Sequence, residues 1–235
     1  MTVLGLDCAG KTAGVALCRD GELFYESRLC AGFTHSETLL PLCEEALRAC
    51  RLSLQDISLL AVTAGPGSFT GLRIGLATVK GLAFAHGTPC AGVSTLEALA
   101  FCAPPVGSCV CALDARRGEV YHAGFSMGPQ GPARLWPDGH GPASALAGQA
   151  LCLPGPVWLL GDGAPLVLDA LDALGGRRAQ DIFLLPEHAR CPGALGVCRA
   201  ALQVQPQSAE TLAPRYLRLS QAERERAEKL ARKGL

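Results

Sequence analysis

The chain contains a glycine-rich turn, residues 65–75 (Gly-Pro-Gly-Ser-Phe-Thr-Gly-Leu-Arg-Ile-Gly), which lies between a short apolar run and a long segment of small residues. The apolar run, residues 57–64, is typical of a buried strand, and the segment after the turn has helical spacing. Glycines at such a junction either bring backbone amides up to an anion or let another surface pack against bare backbone. The turn lacks the lysine-serine or lysine-threonine end of a P-loop, and its glycines do not have the dinucleotide-binding spacing. The sequence therefore favours close packing at this turn.

The helix after the turn is unusually rich in glycine. Gly71 and Gly75 lie four residues apart on one helical face, and Gly81 follows further along. Each glycine inside a helix costs roughly 1 kcal/mol relative to alanine. Repeated glycines therefore indicate that another surface approaches the helix closely, and this surface is either the chain's own first helix or another subunit.

The first hundred residues predict a regular order of elements. Residues 2–8, 13–19 and 22–29 alternate as strands, with a tight-hairpin signal at Asp20-Gly21. Residues 36–51 have helical spacing, and Thr34 with Glu37 matches the capping-box pattern. A strand at 57–64, a helix to about residue 86, a strand at 89–93 and a helix at 95–102 follow. The predicted order is β-β-β-α-β-α-β-α.

The second half repeats the opening in a weaker form. Residues 103–107, Ala-Pro-Pro-Val-Gly, indicate a hinge, after which a strand ends at Asp114 just as the first strand ends at Asp7. Residues 157–160 and 194–202 predict a strand and a helix, whereas residues 128–156 cannot be assigned. We expect a first lobe at residues 1–103, a degenerate second lobe at 104–219 and a charged helical tail at 220–235. Two related βββαβα-type lobes are the layout of the α/β actin-like, sugar-kinase and Hsp70 fold (ASKHA, RNase H-like), in which nucleotide binds between the lobes.

Composition limits the classes of function. The 12 cysteines are scattered through apolar segments, where a thiol acts as a small hydrophobe, and the formal net charge of +0 offers no general attraction for nucleic acid. No secretory signal and no apolar run of membrane-spanning length is visible, so we expect a cytoplasmic protein. His35 has Leu39 where a helical metal pair would need a second histidine. We expect no metal site and no catalytic residues.

A vestigial nucleotide site is one hypothesis for the cleft between the lobes. The first hairpin and the two aspartate-bearing strand ends could hold phosphate and metal, and a glycine turn lies where active relatives of the fold bind adenosine. The alternative is that Asp7 only ends a strand and Lys11 is a solvated turn residue. The residues of this hypothetical site are Asp7, Gly10, Lys11, Thr12, Asp114, Gly161 and Gly163.

Several motifs together resemble those of the TsaB (YeaZ) family, the bacterial partner of TsaD in making threonylcarbamoyladenosine on tRNA. The resemblance is dense in the first half and thin in the second. It rests on Leu6-Asp7 with its hairpin and on residues 35–41, 65–75, 92–96, 114–121 and 216–218.

The resemblance implies a non-catalytic subunit that activates TsaD and pairs with it through the two first-lobe helices. It also implies a homodimer when TsaD is absent, the ATPase TsaE as a further partner, and contact with tRNA only through the complex, with no membrane contact. ATP and metal are expected on the partner subunits, and this chain is expected to have no cofactor of its own. The expected interface residues are His35, Leu39, Leu42, Gly67, Ser68, Phe69, Thr70, Gly71, Arg73, Ile74, Gly75 and Thr78.

Two other functions stay open at this stage. The chain could be a stand-alone nucleotide-dependent kinase or ATPase of the same fold that uses Asp7, Lys11 and Asp114. It could also be a self-associating regulator unconnected with tRNA.

Overall fold

The fold, seen in a computed structural model that describes residues 1–30, 32, 34–175, 181–191 and 193–218, contains two five-stranded mixed sheets with helices packed on them. In the first sheet the strand order is β3-β2-β1-β4-β5, with β1–β3 antiparallel and β4 and β5 parallel to β1. The elements of this lobe are β1 (Thr2–Asp7), β2 (Ala13–Arg19), β3 (Glu22–Leu29), α1 (His35–Ala49), β4 (Leu59–Gly65), α2 (Phe69–Phe84), β5 (Cys90–Ser94) and α3 (Thr95–Ala100), with a 3-10 turn at Leu54–Asp56. The predicted order is confirmed.

Local signals account for the ends of these elements. The Glu37 carboxylate accepts hydrogen bonds from the Thr34 backbone N–H at 3.0 Å and the Thr34 hydroxyl at 2.6 Å, so the predicted capping box starts α1. The hairpin between β2 and β3 turns at Asp20 and Gly21, both with positive φ. The hairpin prediction is therefore confirmed as well.

The second sheet repeats the topology of the first. Its order is β10-β9-β6-β7-β8, with β6–β8 antiparallel and β9 and β10 parallel to β6. This sheet and its helices comprise β6 (Ser108–Asp114), β7 (Glu119–Gly128), β8 (Gly131–Pro142), α4 (Ala143–Ala150), β9 (Val157–Leu160), α5 (Ala164–Ala173), β10 (Ile182–Leu184) and α6 (Glu187–Arg190). The two lobes thus have the duplicated actin-like fold that the sequence predicts.

The stretch that the sequence left unassigned contains β8 and α4. β8 contains glycine and proline at several positions, which are poor strand formers, and it pairs with β7 through an irregular register. Tertiary pairing therefore decides the structure here, because local propensity does not favour a strand.

The last described helix belongs to the first lobe. Helix α7 (Ala194–Ala201) packs its small buried face on the first sheet, and Leu212 is buried in the core between that sheet and α1 and α2. The structure therefore differs from the predicted second lobe at 104–219, because α7 and Leu212 belong to the cores of the first lobe. The predicted tail at 220–235 lies outside the described residues.

Helix α3 connects the two lobes in the interior. Its residue Ala98 belongs to the core that contains the first sheet and α7, whereas Leu96, Leu99 and Ala100 belong to the core of the second sheet. The two sheets therefore share one helix between them. In the described part of the chain, no helix combines the length and the apolar character that crossing a bilayer requires.

Candidate partner surface and inter-lobe cleft

The glycine turn packs against the first hairpin of the chain. The backbone N–H of Ser68 donates to the Ala9 carbonyl at 2.7 Å, and a Cβ at Gly67 would lie 2.6 Å from the same oxygen. The Ser68 hydroxyl accepts from the Gly71 N–H at 3.2 Å and so caps α2. The Ser68 and Gly71 amides at the start of α2 are therefore occupied by contacts within the chain.

Gly71 and Gly75 face inward. A Cβ at Gly71 would overlap the Cys8 carbonyl oxygen and lie 3.0 Å from the His35 ring, and one at Gly75 would overlap the Cys8 sulfur. The expected close approach is present, but the surface that approaches is the chain's own β1–β2 hairpin. The expectation that these two glycines contact a partner needs correction, because both are buried inside the monomer.

Other predicted interface residues are also internal. Leu39 and Leu42 are buried in the core between α1, α2 and the first sheet. The His35 ring Nε2 lies 2.9 Å from the Gly10 carbonyl oxygen, so this partly buried side chain ties the start of α1 to the first hairpin. Leu39 and Leu42 are corrected to core residues for the same reason as the glycines, since the helix turns them toward the sheet.

Helix α2 has a second, solvent-facing side, which we call the outer face of α2. Gly81 has no neighbouring heavy atom within 4 Å of a Cβ built on it, and the Phe84 side chain is 91% exposed. At 100° per residue, the members of this face lie within about 60° of Gly81 around the helix axis. They are Thr70, Ile74, Ala77, Thr78, Gly81, Phe84 and Ala85.

Several of the predicted interface residues lie on or beside the outer face of α2, and their contact with a partner stays a prediction. Thr70 is exposed, Ile74 and Thr78 are partly buried, and the neighbouring Ser68 and Arg73 are exposed. On α1, Leu40 is 45% exposed although it is apolar. The sequence pattern did not single out Phe84 or Leu40, since nothing in the spacing of a helix rich in small residues says which side faces water.

An aromatic stack lies beside this face at the first turn of α2. The Phe69 and Tyr216 rings stack with centroids 4.4 Å apart, and the Arg73 guanidinium lies 4.0 Å from the Phe69 ring centroid. Arg73 Nε also donates to the Tyr216 hydroxyl at 3.0 Å. The sequence contained residues 216–218 as a motif but indicated no role for it.

A cleft of about 470 Å³ lies between the lobes, at the side of the glycine turn. Both aspartate-bearing hairpins contribute to its walls, together with the turn and the end of the described chain. Its lining residues are Ala9, Gly10, Lys11, Pro66, Gly67, Ser68, Phe69, Leu113, Asp114, Ala115, Arg116, Tyr121, Asp162, Arg215, Tyr216, Leu217 and Arg218. The structure thus brings Gly10, Lys11 and Asp114 of the hypothetical nucleotide site together.

Asp7 does not line this cleft. Its carboxylate is 2% exposed, and Oδ1 accepts from the Ala9 N–H at 3.2 Å and the Thr63 hydroxyl at 3.1 Å. Burial raises the pKa of the Asp7 carboxyl above its usual value, and the two hydrogen bonds oppose that shift. Asp7 therefore stabilises the first hairpin from the interior of the first lobe. Thr12 is also absent from the residues that line the cleft.

The glycines at 161 and 163 also have a packing role. A Cβ at Gly161 would overlap the Ala112 carbonyl oxygen, and one at Gly163 would lie 2.8 Å from the Leu113 carbonyl carbon. They let the turn before α5 cross the end of β6, where the Asp162 carboxylate accepts from the Asp114 N–H at 2.9 Å. Neither glycine is among the residues that line the cleft, although Asp162 between them is, so an adenosine contact of this turn stays a hypothesis.

No group of three potential metal ligands is found among the residues that the structure describes. Within those residues the cysteines are all free thiols, and most lie in the cores. Burial raises the pKa of Cys8 and of Cys43 to about 12, so these thiols are protonated at neutral pH.

Comparison with known proteins gives consistent matches. The family model of TsaD, tRNA N6-adenosine threonylcarbamoyltransferase, matches residues 30–130. The Escherichia coli tRNA threonylcarbamoyladenosine biosynthesis protein TsaB is 39% identical over 134 residues, which cover 56% of this chain and 58% of that protein. An uncharacterised protein of Mycobacterium bovis is 36% identical over 154 residues, covering 63% of this chain and 72% of that protein. The chain spans about half the length of the curated TsaB relatives it matches.

Solved structures agree with the sequence matches. A Pseudomonas aeruginosa protein described as similar to peptidase YeaZ has a TM-score of 0.74 at 26% identity, covering 92% of this chain and 99% of that one. A ROK hexokinase from Thermus thermophilus, at a TM-score of 0.50 and 16% identity over 86% of this chain and 98% of that one, shares the fold alone.

Proposed function

Because the chain belongs to the TsaB (YeaZ) family of the TsaD-like superfamily, we propose that it is a non-catalytic subunit in the formation of threonylcarbamoyladenosine on tRNA. In this proposal it binds and activates TsaD, which carries out the transfer. TsaE joins the pair, tRNA is contacted only through the complex, and the complex works in the cytoplasm. ATP and metal are held by the partner subunits.

The observation that carries the proposal is the outer face of α2. This face exposes Phe84 almost completely, and the bare backbone at Gly81 leaves room for another helix to approach. Large exposed apolar side chains next to small residues are typical of protein contact surfaces. A helix pair from each subunit would cover this face and form a four-helix interface. The same face would pair with itself when TsaD is absent, which gives a homodimer.

The contacts of the first hairpin support the absence of catalysis. The Ser68 amide is already bonded to Ala9, and the Asp7 carboxylate is buried under the hairpin. In active relatives of the fold the first hairpin would face phosphate and its aspartate would help to hold a metal. Here both groups serve packing within the first lobe.

Light scattering coupled to size-exclusion chromatography tests the proposal. The purified chain and its mixture with TsaD from the same genome are compared for the wild type, Gly81→Trp and Gly148→Trp. Gly148 is a matched control, because it is an exposed glycine in α4 of the other lobe that also has no neighbour within 4 Å. We expect the wild type and Gly148→Trp to exchange a homodimer for a heterodimer, and Gly81→Trp to stay monomeric in both samples. A wild type that never binds TsaD would reject the proposed function.

The size of the inter-lobe cleft favours a second candidate, a nucleotide-dependent kinase or ATPase. Lys11 and Arg116 line the cleft together with Asp114, which are residue types suited to phosphate and its metal. Calorimetric titration of the isolated chain with ATP and Mg²⁺ distinguishes the candidates. Binding that is lost in Asp114→Asn, together with ATP turnover, would support the enzyme; heat of dilution alone would support the subunit.

A further inference from the structure

The end of the described chain runs across both lobes, and we call residues 207–218 the C-terminal strap. Its first residue, Gln207, exchanges two 2.8 Å backbone hydrogen bonds with Cys90 at the edge of the first sheet. Leu212 is buried in the first-lobe core, and the Arg215 N–H donates to the Ala64 carbonyl at 2.7 Å beside the glycine turn. The strap is therefore anchored on the first lobe over most of its length.

Near its end the strap reaches the partner-binding helix. The Tyr216 ring stacks on Phe69, and its hydroxyl accepts from Arg73 Nε. Thr70 and Ile74, the neighbours of these two residues in α2, belong to the outer face of α2. A partner that moves or clamps this turn of the helix would therefore act directly on Tyr216.

The last described residue reaches the other lobe. Arg218 Nη1 donates to the Ala115 carbonyl at 2.7 Å and lies 2.9 Å from the Glu119 carboxylate, which is also 3.0 Å from His140. Ala115 and Glu119 flank the turn that contributes Arg116 to the cleft. These charge-assisted contacts join the strap to the second-lobe wall of the cleft.

The turn at 114–119 combines hydrogen bonds of its own, from the Ala115 N–H to the Glu119 carbonyl and from the Glu119 N–H to the Arg116 carbonyl, with backbone in the left-handed region. Arg116 and Arg117 have φ of 70° and 60°, values that side-chain-bearing residues adopt only at an energetic cost, and Gly118 follows at 76°. Such a conformation persists when the surroundings hold it in place. Arg218 supplies two of the contacts that do so.

We propose that the C-terminal strap couples the two lobes, so that a partner bound on the outer face of α2 tightens the turn at 114–119 through Tyr216 and Arg218. Arg218 is then a positioning residue for the wall of the cleft. The coupling rests on the proposed function for the identity of the partner, whereas the link between strap and turn stands on the isolated chain.

Hydrogen exchange followed by mass spectrometry tests both parts. In the isolated chain, Arg218→Ala should speed exchange in peptides spanning 113–121 by about tenfold, because two charge-assisted contacts to the turn are lost. Arg215→Ala is the matched control, since it removes a charge from the same strap but keeps the backbone bond to Ala64. Peptides of the first sheet should be unchanged in both variants and so report correct folding.

The second part adds saturating TsaD. We expect TsaD to slow exchange at 113–121 in the wild type and in Arg215→Ala but to leave it unchanged in Arg218→Ala, although all three bind TsaD equally. Equal slowing in Arg218→Ala would overturn the coupling, because TsaD would then act on the turn without the strap.

The remaining outcomes are also decisive. Unchanged exchange at 113–121 in isolated Arg218→Ala would overturn the proposed link between the strap and the turn, whatever effect TsaD has. Failure of the wild type to bind TsaD would reject the proposed function and the coupling with it, while the measurement on the isolated chain would still decide the strap. If Arg218→Ala unfolds, Glu119→Gln is the milder variant. It weakens the contact between Arg218 and the turn by removing the carboxylate charge, and it keeps the hydrogen bond from Arg218 to Ala115.

Discussion

The sulfur of Cys8, the residue that follows β1, fills the space where a side chain on Gly75 of α2 would begin, so there is no room for a methyl group between the two residues. Val62 closes the same space from β4, 3.2 Å from the position of that Cβ. The glycine at 75 is therefore required by the fold of the monomer. Gly71 and Gly75 thus face the interior of the monomer, whereas Gly81 faces outward.

Gly75→Ala and Gly81→Ala should have opposite effects on the free energy of unfolding. We expect Gly75→Ala to lose about 1–3 kcal/mol from overpacking and Gly81→Ala to gain up to about 1 kcal/mol from helix propensity. Urea denaturation of the two variants measures both changes. In the double variant Cys8→Ala/Gly75→Ala part of the loss should be recovered, since the obstructing sulfur is gone. A Gly75→Ala protein as stable as the wild type would contradict the packing described here.

Asp7→Asn should stabilise the chain at neutral pH. Both hydrogen bonds end on Oδ1, which an asparagine can reproduce, and the variant avoids a buried charge. Burial raises the pKa of this carboxyl in the folded state. The stability that the protonated carboxyl contributes is therefore fully present below pH 3.8, the ordinary pKa, and is lost as the pH rises through the folded pKa. The advantage of asparagine should therefore grow with pH from about pH 4 upward.

Urea denaturation at a series of pH values from 4 to 7 measures this difference, with Asp169→Asn, at an exposed position of the second-lobe helix α5, as a control for a general charge effect. A loss of stability in Asp7→Asn that grows as the pH rises would show that the carboxylate charge is needed. Such a result would favour an electrostatic role for Asp7 and would reopen the enzymatic candidate.

The buried thiols should make the chain less stable in alkali. Burial raises the pKa of Cys43 to about 12 from 9.0, so the unfolded chain releases this proton first and stability falls as the pH rises from 9 toward 12. Each such thiol contributes a slope of up to about 1.4 kcal/mol per pH unit. Cys43→Ala should reduce the slope of unfolding free energy against pH above 9, whereas Cys152→Ala, at an exposed position, should not. Identical slopes for both variants would show that the Cys43 thiol is accessible to water.

Arg134 should hold the two lobes together. Its guanidinium contacts Glu97 of α3 at 2.7 Å and Asp138 of β8 at 2.5 Å, and Ser94 donates to the same aspartate at 2.7 Å. Without the guanidinium, the Glu97 and Asp138 carboxylates lose their shared positive partner. Arg134→Ala should therefore lower the free energy of unfolding by about 1–3 kcal/mol, toward the lower end because the side chain is partly exposed.

Thermal and urea unfolding in low and high salt provide the measurement, since part of this loss should be screened by salt. Arg48→Ala on the surface of α1 is the control and should change stability by less than about 0.5 kcal/mol. Equal effects of the two variants would mean that the contacts of Arg134 carry no inter-lobe energy.

The order of elements in the first lobe follows from local sequence. The period-two strands, the capping box at Thr34 and Glu37 and the Asp20-Gly21 hairpin are signals that act within a few residues. The sequence also contained the repeat that predicts the second lobe, because the aspartate-ended strand recurs at Asp114. β8 could not be predicted in this way, since its glycines and prolines form a strand only when β7 is beside them.

The chain's own residues thus prescribe the elements, the duplicated lobes and the need for bare backbone along α2. Tertiary packing decides which neighbour contacts each glycine. Small residues occur on several sides of α2, so the sequence contains no single apolar stripe that would show which side of the helix faces the core. Packing against Cys8 turns Gly75 inward and leaves Gly81 and Phe84 in water. Long-range contacts likewise bring Arg218 to Ala115 across more than a hundred residues, a pairing that no local pattern encodes.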